Sequence, residues 1–516
     1  MASLFEKKDR HLIPNWRSFV NTAKLGELNG SKGIKLDSSY RPDISDLLDD
    51  WNESNSIGVA GDILGVASIC NQEDNAVVRN IATYVLENQH LASKAIIDVA
   101  HTILTQKGKD IHLDLDINSS SLFNDNSHLL ELHIKINSLK RKLGDNPLNP
   151  INWVEIARYY SILGQEEKAE RAIRNALYLA PENRFILRSV SRFFVHFGDV
   201  GFAHDIIRKS TLTEHDPWLL ATEVALATLR GRSSRFFNKG VSIVNSGSFH
   251  PFNTTELAGS LATLEMKNAS FKKSKKLFET SLTNPNDNSL AQAQWASQQE
   301  RSLMPLNPRS FNPSNSFEAL ARDFSQKEKW QESVEHSKLW FFDLPFSKRP
   351  IMFGMEIASS KLKDHHQAVE IAKLGLLSHP NDGQLLNNII YSLCLQNKIA
   401  EAEKYLLDIK KEDLDIKTVL GICLTATKGL YYFRKGFHDI GRQYYLSSMR
   451  SAQEQDLQEV RAISLINYIR EEILVGEEDL SEIILQVHKI ANHYHNLDLG
   501  KDAQEVIDLY NKSHSK

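Results

Sequence analysis

Apolar residues recur along most of this chain at the three-to-four-residue spacing of amphipathic helices. The first clear case follows Pro42, where Ile44, Leu47, Leu48 and Trp51 would share one helix face. Similar spacing predicts further helices at about 57–70, 74–89 and 91–106. Only 110–117 alternates apolar and polar residues, which favours a short strand or an extended linker. The pattern therefore predicts an all-α protein.

Two stretches, 153–181 and 187–217, repeat nearly the same pattern 34 residues apart. The paired positions are Ala157 and Ser191, Tyr160 and Phe194, Gly164 and Gly198, Ala169 and Ala203, and Ile173 and Ile207. Small residues let two antiparallel helices approach closely, the aromatic ring fills the gap between them, and the glycine lies at the turn. A fixed period of this length is the signature of a helical repeat array.

The first of these stretches resembles the tetratricopeptide repeat (TPR) family. The matching residues are Trp153, Ala157, Tyr160, Gly164, Ala169, Ile173, Ala176 and Pro181. Weaker units follow to about residue 300, and the pattern recovers over about 316–450. The resemblance implies a solenoid of TPR-type helical hairpins in two arrays, in which the first helix of each hairpin lines a concave groove. A bacterial member of the family is expected.

Composition shifts and proline positions predict the domain organisation. Pro305, Pro308 and Pro313, set among asparagine and serine, cannot continue a helix and indicate a break between the arrays. The predicted parts are an irregular N-terminal arm (1–35), a small helical N-terminal domain (36–125), a first TPR-like array (126–302), a linker (303–315), a second TPR-like array (316–450) and a helical C-terminal cap (451–516).

The net charge of the chain gives no general attraction to a polyanion. The 516 residues include 61 lysines and arginines against 65 acidic residues, a formal charge of −4, and the mean hydropathy is −0.36. This balance argues against nucleic acid as the partner and gives no pull toward an anionic membrane. No apolar run is long enough for a signal peptide or for crossing a bilayer, so we expect a cytoplasmic protein without a membrane partner.

Motifs that would indicate chemistry are absent from the sequence. There is no phosphate-binding glycine loop, His-Glu-x-x-His motif, nucleophile elbow or Cys-x-x-Cys pair. The three cysteines, Cys70, Cys394 and Cys423, are too far apart in sequence to form a metal or redox spacing. We therefore expect no catalytic activity, no cofactor and no metal site.

The TPR resemblance instead points to groove positions on the first helices. In the first array these positions hold Arg158, Phe185, Arg188, Arg192 and His196. Guanidinium groups around an apolar contact suit an acidic peptide, a chain-terminal carboxylate or a phosphate, because arginine binds such groups in a bidentate manner. The alternative is that these arginines pair with carboxylates of the same chain.

The corresponding positions of the second array are polar. They hold Gln384, Asn387 and Tyr391, which suit hydrogen bonds to a peptide backbone. The residues therefore favour a non-catalytic scaffold or adaptor that binds a partner polypeptide, including an acidic segment, in the grooves. One alternative is a sensor or regulatory subunit of a bacterial stress-response or phage-defence system, whose N-terminal domain docks an effector. Another is an enzyme with its site in 1–125, although that segment lacks a catalytic constellation. The identity of the partner and the oligomeric state do not follow from the sequence.

Overall fold

The described part of the chain is all-helical. The computed structural model describes residues 10–19, 44–70, 75–92, 94–105, 127–300, 302–303, 306–311, 313, 315–476, 480–495 and 498–514. These residues contain 25 α-helices, a few short 3₁₀ turns and no strand, which confirms the predicted all-α class. The predicted extended segment at 110–117 lies outside the described residues. None of the described helices combines the length and apolar character needed to cross a membrane.

The chain divides into two compact units. The described residues of 1–16, 139–246 and 254–516 form the larger unit, and those of 17–138 and 247–253 form the smaller one. The smaller unit contains α1 (Ile44–Glu53), α2 (Ile57–Cys70), α3 (Ala76–Glu87), α4 (Lys94–Thr105) and most of α5 (Ser127–Asp145). Its core is apolar and completely buried, with Ile63, Ile81 and Ile103 among its members.

The larger unit is a succession of helices, most of which pack in pairs as antiparallel hairpins. Its earlier helices are α6 (Pro150–Ile162), α7 (Glu166–Leu179), α8 (Arg184–His196), α9 (Val200–Lys209), α10 (Pro217–Leu229), α11 (Phe237–Ser246), α12 (Pro251–Lys267), α13 (Phe271–Ser281) and α14 (Asp287–Gln299). The later helices are α15 (Phe317–Gln326), α16 (Trp330–Asp343), α17 (Lys348–Ser360), α18 (His365–Ser378), α19 (Gly383–Leu395), α20 (Ile399–Leu407), α21 (Val419–Arg434), α22 (His438–Glu454), α23 (Gln458–Val475), α24 (Ser481–His493) and α25 (Asp498–His514).

Asparagine and aspartate caps fix where several of the first helices begin. The Asn149 side chain accepts hydrogen bonds from the backbone of α6, whose first residue is Pro150. Asn183, Asp216 and Asp382 cap α8, α10 and α19 in the same way. These side chains satisfy amide groups that have no partner within the helix. All four cap residues have an extended backbone conformation, so these four helices begin with the same local geometry.

The turn inside the hairpins also repeats, even where glycine is absent. In seven hairpins a residue with positive φ lies two positions after the end of the first helix. These residues are Gly164, Gly198, Gly231, Ala269, Glu328, Asn397 and Gly436. Glycine adopts this conformation without steric cost, whereas alanine and glutamate are strained in it. The repeat in the backbone is therefore more regular than the repeat in the sequence.

This turn gives a direct test of backbone strain. Gly198 has φ +89 and Gly144 lies within α5, and a Cβ added at either position would meet nothing within 4 Å. We expect Gly198→Ala to lower the free energy of unfolding by about 1 kcal/mol, because only the left-handed backbone opposes it. Gly144→Ala should be neutral or stabilising, since alanine favours a helix. Urea denaturation of both variants checks this, and equal effects would contradict the assigned strain.

Candidate functional site

Residues 10–16, called the arm here, run without helical structure inside the larger unit. Burial alternates along the arm: Arg10, Leu12, Pro14 and Trp16 are buried, and the residues between them are half-buried. In an extended chain successive side chains point to opposite sides. One side of the arm therefore faces protein along its whole length.

Arg10 anchors the amino-terminal end of the arm. Its Nε and Nη2 donate to the two carboxylate oxygens of Glu318 at 2.8 and 2.9 Å. Its Nη1 donates to Gln292 Oε1 at 2.6 Å, and Nη2 also donates to Asn288 Oδ1 at 3.0 Å. Bidentate arginine–carboxylate pairs are among the strongest hydrogen-bonded contacts in proteins. The anchor combines such a pair with two amide acceptors.

Two amide side chains of α14 bind the backbone of the arm. Gln292 Nε2 donates to the carbonyl oxygen of Arg10 at 2.8 Å, and Asn288 Nδ2 donates to that of Ile13 at 3.0 Å. The two residues are four positions apart, so they share one face of the helix. Because they bind carbonyl oxygens, these contacts do not depend on the side chains of the arm.

Apolar contacts hold the rest of the arm. A Cβ built at Gly259 of α12 would lie 2.8 Å from Leu12 Cδ1, so the missing side chain makes room for the leucine. The Trp16 ring packs against Phe193 of α8 and against Phe346, with centroid distances of 6.1 and 5.4 Å. Phe346 lies between α16 and α17 in the chain. Trp16 therefore contacts residues that are more than 150 positions apart.

A single buried carboxylate joins the arm to two further helices. Glu318 Oε1, on α15, also accepts from Arg322 Nε at 3.1 Å and from Arg349 Nη2 of α17 at 2.8 Å. Burial by itself raises the pKa of Glu318, but the positive charges of Arg10, Arg349 and Arg322 hold it well below its usual range. Glu318 therefore stays ionised and binds three guanidinium groups.

Two of the predicted groove arginines are paired within the chain. Arg188 Nη2 donates to Glu256 Oε2 at 2.9 Å. Arg158 is 5% exposed, and its Nε lies 3.7 Å from Glu155 Oε2. Phe185, one turn before Arg188, is half-buried. Pairing with carboxylates of the chain is one of the two outcomes that the sequence left open, and these two arginines adopt it here.

The third predicted arginine differs. Arg192 is half-buried, and its guanidinium lies over the Phe346 ring, 5.3 Å from the centroid. Across the described part of the chain it has no hydrogen bond and no ion pair. Burial and the nearby Arg349 and Arg10 lower its pKa to about 10, against the opposing charge of Glu318. Arg192 stays charged near neutral pH without a carboxylate of its own.

His196, one helical turn after Arg192, lies beside a second histidine. The rings of His196 and His379 are 5.1 Å apart, and His196 also packs on Phe346 at 5.4 Å. Burial holds the pKa of His196 well below its usual range, and His379, Arg192 and Lys348 add to the effect. Burial likewise lowers the pKa of His379 to about 4. Both rings are therefore neutral at pH 7.

The predicted positions of the second array bind other residues of the chain. Gln384 accepts a hydrogen bond from a lysine of α17 at 2.8 Å. Asn387 is 1% exposed and accepts from Thr427 Oγ1 at 2.8 Å. Tyr391 donates to Asn467 Oδ1 at 3.0 Å. All three predicted residues are therefore hydrogen-bonded within the chain.

The residues that bind the arm were not among the predicted site residues. Asn288 and Gln292 could have been suspected from the sequence, since they are amides four positions apart and would share one face of a helix. Nothing in the sequence links Arg10 to Glu318, because they are 308 positions apart. The pairing of the arm with α14 and α15 is visible only in the folded chain.

Comparison with known proteins supplies no identity. No protein-family model matches this chain, and no curated protein matches it either. In the described residues, no group of three or more histidine, cysteine, aspartate or glutamate side chains could hold a metal ion. The arm, the helices that bind it and the charges around them are therefore the candidate functional site.

Replacement of Glu318 tests the anchor. Glu318→Gln should lower the free energy of unfolding by about 3 kcal/mol, because it leaves buried guanidinium groups without their shared carboxylate. Glu335→Gln, at an exposed position of α16, is the matched control and should have little effect on the free energy of unfolding. Urea denaturation followed by circular dichroism measures both. Equal stability of the two variants would show that Glu318 does not organise the site.

The two histidines predict a specific pH dependence. Their pKa values are lowered in the folded chain, so below about pH 6.5 the unfolded chain binds more protons than the folded one. Stability should therefore fall progressively as the pH drops from about 6.5 towards 4. His196→Asn combined with His379→Asn should flatten this slope, whereas His215→Asn, at an exposed position, should not. If the double variant leaves the dependence of stability on pH unchanged, the two histidines are not its cause.

Proposed function

We propose that this protein is a non-catalytic scaffold of the TPR type, which binds an extended segment of a partner polypeptide along the first helices of its hairpins. The observation that supports this most strongly is the arm itself. An extended segment already lies against α8, α12, α14 and α15, and three of these helices, α8, α12 and α15, are first helices of hairpins with the repeated turn. The surface therefore has contacts suited to a peptide.

The contacts of the arm define what a partner segment would need. Asn288 and Gln292 bind backbone carbonyl oxygens and would accept many sequences. Glu318 favours a basic residue, and the space over Gly259 favours an apolar one. The acidic segment expected from the sequence would be bound at Arg192, the predicted groove arginine that lacks a carboxylate. The partner segment would replace the arm or extend beyond it.

The regulatory alternative has one supporting feature. The arm ends at Trp16 in the larger unit, and the chain continues directly into the smaller unit at residue 17. A partner that displaces the arm would detach from the larger unit the segment that leads into the smaller unit. A sensor whose N-terminal domain docks an effector requires such a step. In either case we propose two TPR arrays, in the cytoplasm, with binding rather than catalysis as the activity.

A peptide added in trans tests the proposal. A fluorescein-labelled peptide of residues 8–19 should bind a variant that lacks residues 1–16, measured by fluorescence anisotropy. It should bind the full chain much more weakly, because there the arm occupies the same contacts. Gln292→Ala in the shortened protein should weaken binding about tenfold through loss of buried hydrogen bonds, whereas Gln299→Ala, exposed on the same helix, should not.

Two controls accompany the peptide-binding test. The same peptide with Arg10→Ala and Trp16→Ala should lose most of its affinity, since both anchors are removed. Circular dichroism of the shortened protein should show retained helix. A folded, shortened protein that ignores the peptide, or binds both peptides equally, would contradict the proposed function.

A further inference from the structure

Arg192 and His196 face a set of positively charged side chains within the larger unit. The charged groups that act on Arg192 are Arg349, Arg10 and Glu318. Lys348 acts on both His196 and His379, and Asp382 acts on His379. These groups come from the arm, α15, α17 and the cap of α19. Arg192 and His196 both pack on the ring of Phe346 in this region.

The charges in this region do not balance. Five cations lie in this region, and they are Arg10, Arg192, Arg322, Lys348 and Arg349. They are accompanied by three carboxylates, those of Glu318, Asp382 and Asp413, the last of which acts on Lys348. Glu318 is already engaged, because it binds arginines of the arm, α15 and α17. The cations therefore exceed the carboxylates by two charges.

Asp382 cannot neutralise this excess. One of its oxygens accepts from Lys348 Nζ at 2.9 Å, and the other accepts from the first amides of α19 at 3.0 and 3.1 Å. A guanidinium held in a partly buried, cationic setting without an acceptor is costly unless an anion joins it. Arg192 is in that situation, and it remains half-exposed to solvent.

We propose that Arg192, His196, Lys348 and His379 form a binding site for a phosphate group, either as inorganic phosphate or as a small phosphate monoester. Arg192 and His196 are four residues apart on α8 and present their side chains to the same side. His196 has no hydrogen bond in the described part of the chain, so its ring is available as a donor. The site rests on the proposed function through Arg192, which is also assigned to an acidic partner segment, whereas the peptide test above probes the contacts of the arm alone.

Phosphate fits this site better than a carboxylate does. A phosphate dianion matches the excess of two charges, whereas a carboxylate would leave one of them unmatched. Its oxygens can accept from the fork of Arg192, from a neutral imidazole N–H and from a remaining proton of Lys348. Lys348 and Arg349 are 30% and 36% exposed, so the site has access to solvent.

The histidines give the site a distinctive signature. They are neutral at pH 7 because burial and surrounding cations lower their pKa values. A bound dianion beside them would favour the imidazolium form and raise both pKa values. A phosphate group holds its second proton up to about pH 6 or above, so much of each ligand at pH 6 is monoanionic and loses a proton when it binds as the dianion. The imidazoles can take up that proton, so the net release of protons to the buffer should be smaller than it would be without the two histidines. A nonspecific surface interaction would not show this coupling.

Isothermal titration calorimetry of the full chain tests the site. Inorganic phosphate and adenosine monophosphate serve as probes at constant ionic strength and at pH 6, in two buffers that differ in ionisation enthalpy. We expect saturable binding and a buffer-dependent heat that reports the net number of protons exchanged. Tighter binding of adenosine monophosphate would identify a monoester as the ligand, and equal binding would identify the phosphate group alone. Either result supports the site.

Matched variants locate the binding. Arg192→Gln should weaken binding at least about tenfold, since it removes a charge-assisted contact. Arg171→Gln, whose side chain is 75% exposed on α7, should leave binding unchanged. His196→Asn combined with His379→Asn should increase the net release of protons to the buffer, because no imidazole then takes up the proton that the phosphate loses. Thermal unfolding and circular dichroism confirm that each variant is folded.

Three results would overturn the proposal. The first is no saturation by about 10 mM of either probe, a concentration that exceeds even a weak millimolar affinity. The second is an equal loss of binding in the Arg192 and Arg171 variants. The third concerns Glu6 and Asp9, which lie outside the described residues. Binding that occurs only after Glu6→Gln and Asp9→Asn would show that a carboxylate of the chain takes the site.

Discussion

The carboxylate of Glu318 is the interaction on which the described site depends. It is buried on α15 and accepts hydrogen bonds from arginines of the arm, of its own helix and of α17. A buried carboxylate is costly unless it is fully paired, and here three guanidinium groups supply that pairing. Because Arg10 is one of them, the position of the arm and the packing of α15 against α17 are linked.

The helices that contact the arm bind an extended segment in addition to packing against one another. Asn288 and Gln292 bind its backbone, while Leu12 and Trp16 fill spaces beside Gly259 and Phe346. A preformed helical surface loses little conformational entropy when it binds an extended segment, so a few anchors can determine affinity. The arm is therefore an internal example of the interaction that we propose for a partner.

Much of the fold follows from local sequence signals. The apolar spacing predicted the helical class, and Gly164 and Gly198 marked turns that do adopt a positive φ. The weaker hairpins were harder to predict because Ala269, Glu328 and Asn397 adopt the same turn without glycine. Tertiary packing imposes this conformation there, and local preference does not reveal it.

The site was less predictable than the fold, for a physical reason. The sequence pointed to Arg188 and Arg192 as equivalent groove residues, yet Arg188 pairs with Glu256 and Arg192 has no such partner. Charge pairing depends on which helices meet, and helices far apart in sequence meet here. The Arg10–Glu318 pair spans 308 positions, so no periodicity within a helix could reveal it.

The most direct measurement is a photo-crosslink from the arm in the full chain. With p-benzoylphenylalanine in place of Trp16, illumination and mass spectrometry identify the residues that surround this position in solution. The account predicts intramolecular crosslinks to peptides that contain Phe193 and Phe346, which contact Trp16. Crosslinks confined to other segments, or only between separate chains, would contradict the claim that the hairpins bind the arm.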